Sequence, residues 1–333
     1  MRALRLSSQS PISKSSLSLV DFPIPTLNSN SILLRVRACG VCHTDLHIVE
    51  GDLPLRKSPI TIGHQVVGVV EKVGDEVTQC KAGERVGVPW LHTTCGACEF
   101  CKRGEENLCD GARFTGWDVD GGYAEYMVAH ESSLVRIPEA FTDEAASPLL
   151  CAGIIGYRSL IKADVQEGER VGLFGFGASA HIAIQIARYW NCEVFVFTRG
   201  EHHRAQARSL GAAWAGGAGE SASPLDRAII FAPAGSLVPI ALSHLRKGGT
   251  LAINAIHTSP IPQMDYSLLY GERAVRSVAN ATRADAREFM QLAAQAKIKT
   301  DVTTFELAEA NEVLMKLKRG EINGAAVLSL NVR

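Results

Sequence analysis

Residues 170–190 read RVGLFGFGASAHIAIQIARYW. The first five residues form a short apolar run, typical of a strand that is buried on both faces. The run leads into Gly175 and Gly177, and the apolar residues that follow are dense enough for a helix buried over most of its surface. A second apolar run, Val194–Phe197, comes next. The stretch therefore predicts a βαβ unit, the repeating element of a doubly wound parallel sheet.

The turn of this unit has the pattern G-x-G-x-x-A. Its glycines permit a tight turn and the close approach of a pyrophosphate, which binds at the positive N-terminus of a helix. Because the pattern lies between a strand and a helix, with another strand beyond, it is a strong signal for a dinucleotide. The predicted cofactor contacts are Gly175, Phe176, Gly177, Ala178, Ser179 and Ala180.

The pattern of apolar and turn residues changes near residue 150. After that point strands and helices continue to alternate, which predicts an α/β domain with a parallel sheet; the expected elements are strands at Ala228–Phe231, Leu251–Asn254 and Val275–Val278 and a helix at Val238–Leu245. Before it, short apolar runs separated by turn residues predict a β-rich barrel or sandwich. These runs are Ile32–Val36, Val66–Val70, Arg85–Val88 and Ala124–Val128.

Composition excludes several classes of function. The chain has 333 residues with 34 basic and 35 acidic side chains, so no global field attracts nucleic acid or anionic membranes. No apolar run approaches the roughly 20 residues of a membrane helix, and no signal peptide is recognisable. Nine cysteines, an odd number, argue against a disulfide framework. We expect a cytoplasmic protein that binds neither nucleic acid nor membranes.

Four of the cysteines, Cys95, Cys98, Cys101 and Cys109, have the spacing C-x2-C-x2-C-x7-C. A tight loop with this spacing can present three sulfurs to one centre, and the fourth closes a tetrahedron. A zinc with four thiolates has no open position, so it would be structural. An iron–sulfur cluster also uses four cysteines and stays open on the residues alone.

A second group of metal-binding residue types lies in Ala38–His47, which reads ACGVCHTDLH directly after the run Ile32–Val36. It holds two cysteines, two histidines, a hydroxyl and a carboxylate. Thiolate and neutral imidazole are the ligands that zinc prefers. Taken alone the segment is weak, since buried cysteines and histidines often only pack.

Several motifs, in order and spacing, give the chain a family resemblance. It resembles the zinc-dependent medium-chain alcohol dehydrogenases over essentially its whole length, and is similar to the bacterial branch that includes enzymes described as cinnamyl-alcohol-dehydrogenase-like. The matching pieces are GVCHTDLH (40–47), GHQVVG (63–68), the four-cysteine lobe (95–109), DGGYAEY (120–126), CAG (151–153) and the dinucleotide turn (175–180).

The resemblance implies an architecture. We expect a GroES-like catalytic domain at residues 1–153, joined by a C-terminal return at residues 287–333, and a Rossmann domain at residues 154–286. It also implies a homodimer or homotetramer.

The resemblance further implies two zinc ions per subunit, one structural and one catalytic. Cys42, His64 and Cys151 would bind the catalytic ion and leave its fourth position to substrate or water. A proton would pass from the alcohol through Thr44 and a ribose hydroxyl of the nicotinamide to His47. The other implied roles are pyrophosphate contact for His43, orientation of His64 by Asp45, and a substrate-pocket wall for Trp90.

Two departures from the family are informative. The family has glutamate where this chain has Gln65, and we expect the missing charge to leave the metal slightly more electrophilic. At the end of the second strand of the βαβ unit, where an acid would favour NAD, the chain has Thr198 followed by a cation. The corner predicted to hold a 2′-phosphate, and so to favour NADP(H) over NAD(H), comprises Thr198, Arg199, His203 and Arg204.

The predicted activity is the interconversion of a primary alcohol and an aldehyde. A polyol or secondary-alcohol dehydrogenase on the same scaffold is the enzymatic alternative. A dinucleotide-binding redox sensor is the alternative without catalysis, and it would be expected to lose a zinc ligand or a relay residue that this chain retains.

Overall fold

The structure is a computed structural model that describes residues 1–220, 224–322 and 324–330. The predicted return, residues 287–333, therefore includes residues 323 and 331–333, which lie outside the described residues. The strands are β1 Arg2–Leu6, β2 Leu17–Asp21, β3 Ser31–Val41, β4 Val66–Val73, β5 Arg85–Val88, β6 Leu91–Thr93, β7 Arg113–Phe114, β8 Tyr126–His130, β9 Val135–Arg136, β10 Arg170–Phe174, β11 Glu193–Phe197, β12 Trp214–Gly216, β13 Leu225–Ile230, β14 Leu245–Ile253, β15 Ala274–Ser277, β16 Val302–Glu306 and β17 Ala325–Ser329.

The α-helices are α1 His43–Glu50, α2 Glu99–Lys102, α3 Asp143–Ala146, α4 Ala152–Lys162, α5 Ala178–Tyr189, α6 Glu201–Ser209, α7 Leu237–His244, α8 Arg283–Gln295 and α9 Ala310–Arg319. Among the described residues, no helix has the length and apolar character needed to cross a membrane. The chain divides into two compact units. The first comprises Met1–Cys151, Thr282–Ala294 and the segment from Lys299 onward, and the second comprises Ala152–Ala281 and Gln295–Ile298.

The first unit is built on a sheet with the strand order β16-β17-β3-β4-β5-β9, to which β8 adds by pairing with β3. Its core contains side chains of β3 and β4, such as Leu34 and Val66, both fully buried. The predicted strand Ala124–Val128 begins two residues late, at Tyr126. Ala124 forms only an isolated bridge to Ala3, because this segment first follows β1 before it joins β3.

The second unit is the predicted doubly wound sheet, and that prediction is confirmed. Its strands run parallel in the order β12-β11-β10-β13-β14-β15. The central strand β10 is buried at four of its five positions, which explains its continuous apolar sequence. The chain passes from β10 directly into α5, so the carboxyl end of the sheet carries the glycine turn.

Candidate active site

Strand pairing brings Cys42 and His64 together. In the antiparallel pair β3–β4, Cys39 lies opposite Val66. Cys42 follows the end of β3 and His64 precedes the start of β4. Because the two strands are antiparallel, both residues lie at the same end of the strand pair. The Cys42 Sγ atom lies 3.2 Å from His64 Nε2.

The turn before His64 depends on Gly63, whose φ is +99°. A Cβ at this position would collide with the Tyr123 ring. Only glycine satisfies both the left-handed backbone and the close approach of the ring.

Cys151 reaches the same place by another route. It follows the short 3-10 helix Ser147–Leu150, and the Ser147 hydroxyl donates to the backbone carbonyl of Gln65 over 2.6 Å. This bond ties the residue after His64 to the segment that delivers Cys151. The metal-binding atoms of Cys42, His64 and Cys151 all lie within 4.8 Å of one another, and the three lie in the first unit.

The charge state of these donors suits a cation. Cys42 is the N-cap of α1, and its Sγ accepts from the Thr44 N–H over 3.3 Å. A hydrogen bond from Cys151, followed by His64 and Thr44, holds the pKa of Cys42 well below its usual range, whereas donation to Cys42 and burial raise the pKa of Cys151. Burial alone would lower the pKa of His64, but Cys42 and Asp45 raise it to about 10. The lowered pKa of Cys42 favours its thiolate, which is the form of cysteine that binds a metal cation.

Asp45 lies behind His64 and is fully buried. Its Oδ1 is 3.2 Å from His64 Nδ1, and its Oδ2 accepts from the Cys42 N–H over 2.9 Å. The Tyr123 hydroxyl donates to the same Oδ2 over 3.3 Å. Tyr123 was absent from the predicted site; the motif DGGYAEY contained it, but nothing in the sequence indicated which carboxylate it would contact.

The predicted proton path lies on α1. Thr44 is half-buried beside Cys42, and His43 is exposed. His47 is one turn further on, and its Nδ1 lies 2.7 Å from Oδ2 of Asp52. Asp52 was also missed, because its role depends on the turn after α1 bringing it back to the helix.

Trp90 packs against the metal-binding group. Its ring meets the His64 ring edge-on at 4.9 Å and stacks on Phe114 at 5.1 Å and Trp117 at 5.8 Å. The Arg56 guanidinium lies 3.7 Å above the Trp117 ring. The result is a continuous aromatic wall beside His64, of which the sequence indicated only Trp90.

The four-cysteine lobe forms a second compact group in the first unit. The sulfur atoms of Cys95, Cys98, Cys101 and Cys109 all lie within 4.8 Å of one another. Hydrogen bonds from the backbone N–H groups of Ala97 and Cys98 lower the pKa of Cys95 to about 6. Backbone donors aimed at a sulfur favour the thiolate, the form that binds metal.

The dinucleotide turn lies in the second unit. Gly175 has φ of +91°, and a Cβ there would lie 2.9 Å from the backbone nitrogen of Ala232. Gly177 is the N-cap of α5, and a Cβ there would meet nothing within 4 Å. Phe176 and Ala180 are buried, whereas Ala178 and Ser179 are half-buried. The start of α5 is therefore open on the side where a Gly177 side chain would lie.

The cations at the end of β11 differ in their surroundings. The Arg204 Nε donates to the Thr198 carbonyl over 3.1 Å, and its guanidinium lies 3.6 Å from the Glu220 carboxylate. Arg199 is exposed. The His203 ring packs against that of His202 at 3.8 Å. Glu220 was missed, because parallel pairing of β11 and β12 brings the segment after β12 beside Thr198.

Known proteins match both units. Residues 28–139 match the alcohol dehydrogenase GroES-like domain, and residues 180–295 match the zinc-binding dehydrogenase domain. A probable alcohol dehydrogenase of Mycobacterium tuberculosis is 46% identical over 335 residues, covering 98% of this chain and 97% of that protein.

Solved structures agree with these matches. A cinnamyl alcohol dehydrogenase from Sorghum bicolor has a TM-score of 0.90 at 26% identity and covers 98% of this chain and 97% of its own. A cobalt- and zinc-bound thermostable alcohol dehydrogenase from Pyrobaculum aerophilum has a TM-score of 0.90 at 26% identity, covering 99% of each chain.

Proposed function

Since the chain belongs to the zinc-dependent medium-chain alcohol dehydrogenases, we propose that it interconverts primary alcohols and aldehydes with NADP(H) as its preferred cofactor. The observation that carries this proposal is the convergence of Cys42, His64 and Cys151, whose donor atoms lie within 4.8 Å of one another. Three protein ligands leave one position of a tetrahedral zinc for substrate, which is the pattern of catalytic rather than structural sites.

The residues at both metal-binding sites have the chemistry that zinc requires. Two sulfurs and one imidazole are soft donors that suit zinc, and two thiolates balance its charge. We propose a second, structural zinc in the four-cysteine lobe. When bound, the catalytic metal supplies Lewis-acid polarisation of the alcohol oxygen and the nucleotide supplies the hydride acceptor.

The chain itself would move the proton. We propose that Thr44 accepts the alcohol proton at its hydroxyl oxygen, and that His47 holds it at the imidazole before release to water. His47 is only partly buried, which supports its position at the solvent end of this path. Asp45 would hold the His64 ring in its ligating orientation through Nδ1. His43 would contact the pyrophosphate.

The aromatic wall of Trp90, Phe114 and Trp117 supports a primary alcohol with an apolar body. A polyol needs several hydrogen-bond partners, and aromatic faces provide none. Arg199 and Thr198 support NADP(H), because a 2′-phosphate would find a cation in place of the acid that binds a ribose hydroxyl.

We propose that the two units are the catalytic domain predicted at residues 1–153 with its return and the nucleotide domain predicted at residues 154–286. A cytoplasmic location is supported by the nine cysteines, none of which forms a disulfide, as is usual in a reducing compartment. A homodimer or homotetramer is supported by exposed apolar side chains on the edge strand β15 and in the segment after β14, namely Val275, Ile256 and Ile261. Light scattering on the purified protein would measure the subunit number.

The test is a screen of primary alcohols, secondary alcohols and polyols with both cofactors, on protein whose zinc has been quantified. We expect two zinc ions per chain and highest kcat/KM for primary alcohols with NADP. Cys42→Ser should lose one zinc ion and turnover. Cys80 lies in the same unit but outside both metal-binding groups, so Cys80→Ser should keep two zinc ions and wild-type turnover. A wild type with one zinc held by the four-cysteine lobe alone would overturn the proposal.

A further inference from the structure

The last turn of α1 is completed by residues from the start of the chain. A helix leaves its final carbonyls without intrahelical partners, and here other groups supply them. The carbonyl of Val49 accepts from the Ser10 N–H over 3.0 Å. The Glu50 carboxylate accepts from the Ile12 N–H over 2.9 Å. The segment at residues 9–12 therefore closes the carboxyl end of the helix that carries Thr44 and His47.

Gln9 has a particular place in this closure. Its amide Nε2 donates to the Ile48 carbonyl and to the Leu53 carbonyl, each over 2.7 Å. These two carbonyls lie on either side of Gly51 and Asp52, so one side chain bridges the turn that carries Asp52. Gly51 has φ of +98°, and a Cβ there would lie in ordinary contact with the Gln9 side chain.

The bridge matters because the Asp52 side chain is 50% exposed and contacts His47 from the solvent side of the turn. An exposed ion pair contributes little ordering of its own. The Leu53 N–H donates to the His47 carbonyl over 3.2 Å, so the residue after Asp52 is also bonded to the helix. Gln9 holds the Leu53 carbonyl, so both the backbone N–H and the carbonyl of Leu53 are hydrogen-bonded, and the turn is fixed at this residue.

We propose that Gln9 is a positioning residue that holds the Asp52 carboxylate on Nδ1 of His47 and thereby sets the imidazole's tautomer. A carboxylate 2.7 Å from Nδ1 fixes the proton of the neutral ring on that nitrogen. The Nε2 lone pair is then the one that can accept a proton. The inference rests on the proposed role of His47 as the proton exit, because only then does the choice of tautomer affect turnover.

The test replaces the donor while keeping the side chain's size. Gln9→Glu can only accept hydrogen bonds when ionised, so it would repel both carbonyls and also place a negative charge at the carboxyl end of a helix. The matched control is Asn311→Asp in the same unit. Asn311 likewise donates from a side-chain amide to a backbone carbonyl, that of Leu17, but it does not touch the turn at residues 51–53.

The first readout is the tautomer of His47, measured by 15N NMR of the histidine rings and assigned by the loss of its signals in His47→Gln. We expect the Nδ1–H form in the wild type and in Asn311→Asp. Gln9→Glu and Asp52→Asn should both shift the ring toward Nε2–H. A wild-type tautomer in Gln9→Glu would overturn the proposal whether or not the protein turns over, which separates this test from that of the proposed function.

The second readout is turnover. We expect Gln9→Glu to lower kcat by about 10-fold with KM nearly unchanged, a part of what a general acid–base group contributes. Imidazole buffer should restore most of the loss by accepting the proton directly. The double variant Gln9→Glu/Asp52→Asn should fall no further than Asp52→Asn, because both act through one contact. A shifted tautomer with unchanged kcat would overturn the proton-exit role of His47 and the catalytic half of this inference.

Discussion

Oδ1 of Asp45 lies 3.2 Å from Nδ1 of His64, and both side chains are at most 1% exposed. A carboxylate in this position fixes the ring so that Nε2 faces Cys42. Replacement of such an outer partner weakens metal binding by about 10- to 100-fold. We therefore expect Asp45→Asn to lose zinc from the Cys42 group at lower chelator concentration than the wild type, with the four-cysteine lobe still loaded.

Tyr123→Phe is the control for this prediction, because it removes a donor to Asp45 and leaves the contact with His64 intact. We expect it to retain zinc far better than Asp45→Asn. Equal zinc retention in Asp45→Asn and the wild type would show that the carboxylate does not support the site.

Much of this arrangement could be predicted from the sequence. The βαβ unit was predictable because its period and its glycines are local properties of residues 170–190. The four-cysteine lobe was predictable for the same reason, since its four sulfurs lie within fifteen residues. Cys151 could be grouped with Cys42 only through the family resemblance, since the contact depends on a hydrogen bond from Ser147 to the Gln65 carbonyl.

Other parts could not be predicted, for physical reasons. Asp52 and Glu220 acquire their contacts from a turn and from the register of parallel strands, neither of which has a local signature. Tyr123 lies in the motif DGGYAEY. Its hydroxyl contacts Asp45 only because the chain segments around Gly63 and Gly122 pack closely. The aromatic wall was missed because Phe114 and Trp117 are spaced like ordinary core residues.

His92 should make the stability of the first unit depend on pH. The side chain is buried, and its surroundings include His130, Arg113 and Arg283. Burial, followed by the electrostatic effect of His130 and the two arginines, lowers the pKa of His92 from 6.5 to about 4. The unfolded chain therefore binds more protons between these values, so the contribution to stability is complete above pH 6.5 and is lost as the pH falls toward 4.

His92→Gln removes this titration and keeps an acceptor for the His130 N–H. We expect the loss of unfolding free energy between pH 6.5 and pH 4.5 to shrink by up to about 2 kcal/mol relative to the wild type. Urea unfolding at several pH values measures it. His202→Gln, an exposed histidine of α6, should change the pH dependence far less than His92→Gln does. The same pH dependence in both variants would contradict the prediction.

The cofactor corner should respond to two substitutions in opposite directions. Arg199→Ala removes an exposed cation, so kcat/KM with NADPH should fall by about 10-fold or more, the value of a charged hydrogen bond. Glu220→Gln removes a carboxylate 3.6 Å from the Arg204 guanidinium and should raise kcat/KM with NADPH. Values with NADH are the internal control and should change little. A wild type that strongly prefers NADH would contradict the expected preference itself.

Gln65 tests whether the charge missing from this site matters. The side chain is 2% exposed and follows the buried His64. A Cβ at Gly40 would collide with its amide oxygen, so the group is enclosed on that side. Gln65→Glu would place a negative charge in this space at nearly constant volume. The added charge should strengthen zinc retention and disfavour loss of a proton from the alcohol, so kcat should fall and its pH profile should move to higher pH.

Gln65→Met separates charge from shape, because it is similar in size and neutral. If the charge is decisive, Gln65→Met should keep the wild-type pH profile while Gln65→Glu moves it. Burying an unpaired carboxylate also costs stability, so Gln65→Glu should unfold at lower urea concentration than the wild type unless the metal compensates. Loading with zinc should therefore raise its urea midpoint more than that of the wild type. An unchanged pH profile together with unchanged zinc retention would mean that the amide serves only to fill space beside Gly40.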